Sequence, residues 1–255
     1  MMVLSREMDI EKRPLWALAA FRTALTCSRL LAGLDYQGQE NLPQTGGFVL
    51  AANHQSYLDG MWILGGLSAE QFERSTALAG ADLSVDHGLI GRLIMKIGRP
   101  ISIERYGNPV RGLIAAKRAL QSDQIVLVHP EGTRTHNGFL APLLSGTAYL
   151  GIKAGVPIIP VYLSGAYDFF PRHAKRPHLK IPRTGRRPNL TVRYLEPIYA
   201  LSSENANAVS AKIAAALYAA ETDWLESSEG WAASLAGISD DWTRGERPSL
   251  ESLVK

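Results

Sequence analysis

Short apolar runs alternate along the chain with stretches whose apolar residues recur at helical spacing. The runs have the length of strands and lie at 47–52, 75–79, 100–104, 125–129, 157–163 and 189–196. The stretches between and after them predict helices at 58–67, 89–97, 109–121, 145–153 and about 204–225. Alternation of strands with helices is typical of a sheet whose faces are covered by helices. The pattern therefore predicts a single α/β domain with a mixed, mostly parallel central sheet flanked by helices.

The segment 14–34 predicts one more helix, with a broad apolar face and a narrower polar side that carries Arg22 and Arg29. The residues expected to share the apolar face are Trp16, Ala20, Phe21, Ala24, Cys27, Leu31 and Leu34. Such a face fits packing against the domain, and it also fits insertion into a membrane interface. We accordingly divide the chain into an N-terminal amphipathic helix and candidate membrane-docking segment at 1–36, a main domain at 37–225 and a C-terminal tail at 226–255.

Composition narrows the class of protein. Of the 255 residues 46% are hydrophobic and 20% are charged, which suffices for a full core and excludes disordered, collagen-like and coiled-coil proteins. The single cysteine, Cys27, excludes a disulfide framework and a cysteine-based zinc site. No run of 18 uncharged apolar residues occurs, and charged residues precede the first long apolar stretch. We therefore expect neither a conventional membrane span nor a signal peptide.

Positive charge is concentrated in one part of the chain, although the formal net charge is only +3. Residues 169–195 contain no acidic side chain and eight basic ones, seven of which lie in the Pro- and Arg-rich loop candidate at 172–187. We call residues 172–187 the basic segment. Such a segment attracts polyanions: phosphate headgroups, coenzyme A, an acidic carrier protein or nucleic acid. A solvated loop of arginines is the alternative.

A histidine follows directly on the apolar run at 48–51. His54 should therefore emerge at the end of a strand, where α/β proteins place ligands. Ser56 fits a helix N-cap, and Asp59 would then lie in the first turn of the next helix, within reach of one ring nitrogen of His54. A carboxylate in that position fixes the tautomer and leaves the other nitrogen as a general base. The alternative is structural: Ser56 and Asp59 would form a capping box at the start of the helix, and His54 would be an ordinary surface histidine with no catalytic role.

A second polar turn follows the apolar run at 125–128. Gly132 permits a tight turn, while Thr133 and Arg134 offer hydrogen bonds to a phosphate or a carboxylate. Glu131 in the same turn needs a partner such as Arg134 or Arg105, the residue that ends another strand-terminal motif at 98–105. The turn taken alone is an ordinary one. The closest histidine pair, at 173 and 178, lies in the basic segment, so we expect no metal site.

Together these motifs resemble the glycerolipid acyltransferase family, whose members include 1-acylglycerol-3-phosphate acyltransferases. The family has four ordered blocks, which match Asn53-His54-x4-Asp59, residues 98–105, residues 130–134 and residues 156–161. Their order and separations agree over roughly residues 35–200, and four blocks in order are a specific signal. The resemblance implies a glycerol-3-phosphate acyltransferase-like α/β fold for the acyltransferase domain at 37–225.

The resemblance also implies a reaction and a set of roles. An acyl chain would move from acyl-CoA or acyl carrier protein to a hydroxyl of a lysophospholipid, most directly 1-acyl-sn-glycerol-3-phosphate, to give phosphatidic acid. His54 would be the general base and Asp59 would orient it. The residues implied for substrate binding are Arg105, Glu131, Gly132, Thr133 and Arg134. No metal, cofactor or nucleic acid is implied, and we expect a cytoplasmic enzyme peripheral on the inner face of the cell membrane.

Three positions depart from the family pattern. The third block usually opens with Phe, where this chain has His129, and residues 143–146 and 80–83 lack the lysines that family members often carry there. The missing lysines bear on the acceptor, so acylation of another lyso-lipid stays open. A His-Asp thioesterase or ester hydrolase with water as acceptor is a further alternative. A non-catalytic lipid-binding protein is disfavoured, because it would have little need for His54, Asp59 and phosphate-binding arginines together.

Overall fold

A seven-stranded sheet forms the centre of the computed structural model, which describes residues 12–80, 97–103, 109–181, 184–227 and 247–254. The strands are β1 (Leu34–Gln37), β2 (Phe48–Ala52), β3 (Ser75–Gly80), β4 (Ile101–Ile103), β5 (Ile125–Val128), β6 (Ile158–Ser164) and β7 (Leu190–Tyr194). Their order across the sheet is β1-β7-β6-β2-β5-β3-β4, and every neighbouring pair is parallel except β6 and β7. The predicted fold class, a mixed and mostly parallel α/β sheet, is therefore confirmed.

Helices cover both faces of this sheet. Within the described residues they are α1 (Leu15–Ala32), α2 (Asp59–Leu64), α3 (Ala69–Glu73), α4 (Val110–Gln121), α5 (Gly146–Ala154), α6 (Ala166–Phe169) and α7 (Ala206–Glu226). One apolar cluster joins α1 and α2 to the sheet, and a second joins α4, α5 and α7 to the opposite face. Strand β2 contributes alternate residues to both clusters and is wholly buried, which explains its uninterrupted apolar sequence.

Most predicted elements are present, with boundaries shifted by one to three residues. Strand β1 was not predicted, because it lies at the edge of the sheet and alternates half-buried with exposed residues. The predicted first helix therefore extends too far: Gly33, with φ of +63°, ends α1 before β1 begins. The short helices α3 and α6 were also not predicted. The helix predicted at 89–97 falls almost entirely outside the described residues.

Helix α1 packs on the domain through a different side from the predicted one. Its buried residues are Ala17, Phe21, Leu25, Ser28 and Ala32, and Phe21 stacks on Phe72 with ring centroids 4.3 Å apart. Trp16 and Leu31, predicted to share a face with Phe21, are 49% and 43% exposed. The prediction was wrong because α1 carries apolar residues around most of its circumference, so periodicity did not single out one side. The helix packs with one apolar side and presents a second to the surroundings.

The exposed apolar side of α1 reaches the sheet edge at which β2, β5 and β6 end. Because β7 is antiparallel to β6, it begins at that edge, and Leu190 N donates to the Gly33 carbonyl at the end of α1. Arg187, the last residue of the basic segment, donates to the carbonyl groups of Arg29 and Leu31. The end of α1 and the basic segment therefore adjoin the loops that follow the parallel strands. No helix among the described residues is both long and apolar enough to cross a bilayer.

The last described segment, residues 247–254, packs beneath the loop that follows β5. Leu253 is fully buried in the second apolar cluster, and its carbonyl accepts a hydrogen bond of 2.7 Å from Leu143 N. Arg247 Nε donates at 2.7 Å to buried Glu221, whose other oxygen accepts from Leu140 N at 3.0 Å. Residues 140–143 are thus fixed by hydrogen bonds to α7 and to the segment 247–254.

Candidate active site

His54 lies in a turn just beyond β2 that is built around the carboxylate of Asp59. Asp59 Oδ2 accepts hydrogen bonds from Gln55 N at 2.6 Å and Ser56 N at 2.9 Å, and lies 2.9 Å from His54 Nδ1. The Asp59 side chain is fully buried, whereas that of His54 is 15% exposed. Because a carboxylate can only accept, it favours the tautomer with the proton on Nδ1 and leaves Nε2 as an acceptor.

The residue expected to cap the following helix does not do so. Leu58, not Ser56, is the N-cap of α2, and Ser56 Oγ instead accepts a hydrogen bond from Leu58 N. Of the two hydrogen bonds that define a capping box, only the one from Ser56 N to the Asp59 carboxylate forms. The Asp59 carboxylate therefore bonds both to the backbone of the turn and to the His54 imidazole. A capping box does not account for these residues.

Glu131, in the loop after β5, connects that loop to the His54 turn through hydrogen bonds of its side chain. Its Oε1 accepts from His54 N at 2.8 Å and its Oε2 accepts from Ala141 N at 3.0 Å, so both oxygens are engaged and the residue is buried. The predicted partner was Arg134 or Arg105. The described partners are backbone N–H groups instead. Thr135 N donates to the His54 carbonyl at 2.7 Å, so both peptide groups of His54 are bonded to one loop.

The side chains on either side of His54 bond to the rest of the sheet edge. Asn53 exchanges two hydrogen bonds with the backbone of Leu163 in β6, at 2.9 and 2.7 Å. Gln55 donates to the Gly138 carbonyl and accepts from Tyr167 N. Sequence reasoning overlooked Gln55, although a polar residue directly after a buried strand signals a group that needs buried partners. These bonds leave the His54 turn little freedom to move.

His129, noted in the sequence only as a departure from the family pattern, stacks on His54. The ring centroids are 3.8 Å apart and the planes are 9° from parallel. Its Nδ1 lies 3.0 Å from the Ala52 carbonyl and 3.1 Å from that of Asn53, so this nitrogen carries a proton. Burial lowers the pKa of His129 to about 3, with the neighbouring His54 acting in the same direction. A neutral imidazole thus forms one wall against the His54 ring.

The remaining predicted residues of the turn after β5 differ in exposure. Gly132 has φ of +70°, and a side chain there would lie 2.9 Å from Leu144 Cδ1, so the turn needs glycine. Thr133 is exposed. Arg134 is half-buried, with its Cζ 3.3 Å from the ring centroid of Tyr57. Arg105 lies outside the described residues. Within the described ranges, no three His, Cys, Asp or Glu side chains come together as a metal site.

The basic segment also reaches the site, a placement that its charge alone did not predict. Arg172 Nη1 donates to the Arg134 carbonyl at 3.3 Å and lies 2.8 Å from His136 Nε2. Tyr167 in α6 donates to the His136 carbonyl at 2.9 Å. Loops after β2, β5 and β6 therefore converge on one edge, which carries the His54 imidazole and the guanidinium groups of Arg134 and Arg172. This combination can accept a proton and bind an anion.

The chain is similar in sequence to known acyltransferases. Residues 33–164, about half of the chain, match the family model described as Acyltransferase. The mouse 1-acyl-sn-glycerol-3-phosphate acyltransferase alpha is 32% identical over 159 residues, which are 61% of this chain and 54% of that protein. The human 1-acyl-sn-glycerol-3-phosphate acyltransferase beta is 36% identical over 125 residues, 48% of this chain and 43% of its own. The chain thus spans about half the length of the curated relatives it matches.

A solved structure shares the fold. The crystal structure of the 1-acyl-sn-glycerophosphate (LPA) acyltransferase PlsC from Thermotoga maritima superposes with a TM-score of 0.62 and 21% sequence identity. The match covers 80% of this chain and 79% of that one. The resemblance drawn from the four motif blocks is therefore confirmed, at the level of the family by the family model and at the level of the fold by this structure.

The two buried carboxyl groups predict that stability falls as pH rises. Burial raises the pKa of Asp59 to about 7 and that of Glu131 to about 8. In the unfolded chain both groups release their protons near pH 4. The folded protein holds these protons to higher pH, so the free energy of unfolding should decrease between about pH 5 and about pH 8. Denaturant titrations across this range measure the slope.

Glu131→Gln should flatten that slope, because it removes one of the two groups whose pKa differs between the folded and unfolded states. The exposed Glu70→Gln is the matched control and should leave the slope unchanged. A free energy of unfolding that rises over the same range in the wild-type protein, or an equal slope in Glu131→Gln, would contradict the assignment.

Proposed function

The chain belongs to the acyltransferase family, and from that premise we propose that it transfers an acyl chain from a thioester donor to a lysophospholipid. The donor is acyl-CoA or acyl carrier protein, the acceptor is 1-acyl-sn-glycerol-3-phosphate and the product is phosphatidic acid. The names of the similar proteins support the acceptor. The observation that carries the proposal is the imidazole of His54, bonded through Nδ1 to a buried carboxylate and partly exposed at the sheet edge.

In the proposed reaction His54 Nε2 takes the proton of the acceptor hydroxyl while the hydroxyl oxygen attacks the thioester carbonyl. A carbon–oxygen bond forms, the carbon–sulfur bond breaks, and the proton passes from His54 to the departing thiolate. Asp59 stabilises the imidazolium that exists between these steps and keeps the ring in the reactive tautomer. No bond between the enzyme and the acyl chain is needed, because the acceptor oxygen is itself the nucleophile.

Glu131 has a positioning role in this proposal. The family resemblance implies contact with the acceptor, but both of its oxygens are occupied by backbone N–H groups and the side chain is buried. We assign it to holding the His54 peptide, with Gly132 shaping the turn. Arg134, Thr133 and Arg105 are the proposed ligands of the acceptor phosphate, and the half-buried guanidinium of Arg134 suits a charge-assisted hydrogen bond.

Two surface features support docking on a membrane, where the acceptor resides. The exposed side of α1 carries Leu15, Trp16, Leu30 and Leu31, of which Leu30 is 71% exposed. The basic segment adjoins the end of α1 through Arg187 and exposes Lys175, Arg176, Lys180 and Arg186. Apolar residues can enter the interface, while each basic residue near anionic lipids contributes about 1 kcal/mol. We propose a peripheral enzyme on the cytoplasmic face of the cell membrane.

His54→Ala should lower acyl transfer by about 10²- to 10⁴-fold, the usual contribution of a positioned base. The assay is incubation of purified protein with labelled acyl-CoA and 1-acylglycerol-3-phosphate, followed by mass spectrometry of the products. A thermal melt checks that the variant stays folded. Near-wild-type turnover in a folded His54→Ala protein would overturn the mechanism. Release of free fatty acid in place of phosphatidic acid by the wild-type protein would establish the hydrolase alternative instead.

Leu30→Glu with Leu31→Glu should weaken binding to vesicles that contain phosphatidylglycerol by at least about tenfold, because two exposed apolar side chains become charged. Tyr199→Glu with Leu201→Glu is the control: both residues are at least 67% exposed, and they follow β7 at the opposite edge of the sheet. Vesicle flotation measures binding, and thermal melts of both variants check folding. Equal flotation of the two variants would exclude docking through α1.

A further inference from the structure

One nitrogen of the Arg134 guanidinium, Nη1, has no hydrogen-bond partner in the part of the chain that the structure describes. The guanidinium plane lies over the Tyr57 ring, 3.3 Å from Cζ to the centroid, and Nη1 is buried. A buried donor of a charged group without an acceptor is costly, and native structures usually supply one. Nη1 itself is closed to solvent, but the side chain as a whole is only half-buried, so an anion bound to its exposed part would offset the cost of the unpaired donor.

A second guanidinium is held beside the first. Arg172 follows α6, and its Nη1 bonds to the Arg134 carbonyl and to His136 Nε2, which fixes the side chain against the loop after β5. Its Nε and Nη2 make no hydrogen bond to the described part of the chain. None of the described carboxylates forms an ion pair with Arg134 or with Arg172.

Two like charges in a half-buried site repel each other, and an anion between them removes that repulsion. Burial lowers the pKa of Arg134, and the charge of Arg172 acts in the same direction.

We propose that Arg172 is a second ligand of the acceptor phosphate and, with Arg134, determines selectivity for a phosphate-bearing acceptor. This assignment rests on the proposed function and extends it to a residue outside the four motif blocks. The phosphate accepts hydrogen bonds from both guanidinium groups, one from the loop after β5 and one from the basic segment. The loop after α6 thereby becomes part of the acceptor site.

The test compares the wild-type protein with Arg172→Ala, Arg172→Lys, Arg134→Ala and the double alanine variant. The control is Arg118→Ala, an exposed arginine in the last turn of α4 that has no part in the proposed site or docking surface. Each protein is assayed with 1-acylglycerol-3-phosphate and with the matching 1-acylglycerol, both in neutral detergent micelles, which remove any contribution from an anionic membrane. Binding of glycerol 3-phosphate is measured separately by the rise in melting temperature that it causes.

Arg172→Ala should lower kcat/KM for the phosphate-bearing acceptor by roughly 10- to 100-fold relative to that for 1-acylglycerol, mainly through KM. Arg172→Lys should recover part of the loss, and Arg118→Ala should leave the ratio unchanged. The double variant should lose less than the product of the two single losses, because both arginines bind one group. Stabilisation by glycerol 3-phosphate should disappear in Arg172→Ala.

An equal loss with both acceptors, or a raised KM for acyl-CoA alone, would overturn the assignment of Arg172 to the acceptor phosphate. So would stabilisation of Arg172→Ala by glycerol 3-phosphate at the wild-type level. If the wild-type protein acylates neither acceptor, the proposed function fails, and the melting experiment alone then decides whether Arg172 binds a glycerol phosphate.

Discussion

The buried carboxylate of Asp59 is the interaction on which the geometry of the site depends. A fully buried carboxylate is stabilised by hydrogen-bond donors. Asp59 Oδ2 meets three nitrogens, two from the backbone and one from His54, whereas Oδ1 has no partner among the described residues. Meeting all three forces residues 54–56 to curl around the start of α2. The same requirement gives the imidazole its direction and its tautomer, so the fold of the turn and its proposed chemistry have one physical cause.

A second buried carboxylate secures this turn to the rest of the molecule. Glu131 joins His54 N to Ala141 N, and residues 140–143 in turn bond to Glu221 and to the Leu253 carbonyl. A continuous series of hydrogen bonds therefore runs from the end of the chain to the candidate base. Pre-positioned groups lower the cost of reaching a reactive geometry. The sheet and the C-terminal segment together provide that positioning.

The fold could be predicted from sequence, as could the placement of His54 and Arg134 at one edge of the sheet, because both depend on local patterns. Buried strands such as β2 appear as apolar runs, and His54 and Arg134 lie in the turns that follow such runs. The packed side of α1 could not be predicted, since periodicity cannot choose between two apolar sides of one helix. Nor could the partners of Glu131 or the approach of Arg172 to Arg134, because each contact joins segments that only the tertiary structure brings together.

The tautomer of His54 tests the central claim most directly. Nitrogen-15 NMR of uniformly labelled protein at about pH 8.5, above the pKa of about 7 of Asp59, distinguishes a protonated from an unprotonated ring nitrogen. His54→Gln identifies the His54 signals. The account predicts a protonated Nδ1 and an unprotonated Nε2 in the wild-type protein, and loss of that preference in Asp59→Ala, which removes the accepting oxygen. A protonated Nε2 in the wild-type protein, or an unchanged His54 spectrum in Asp59→Ala, would contradict the account.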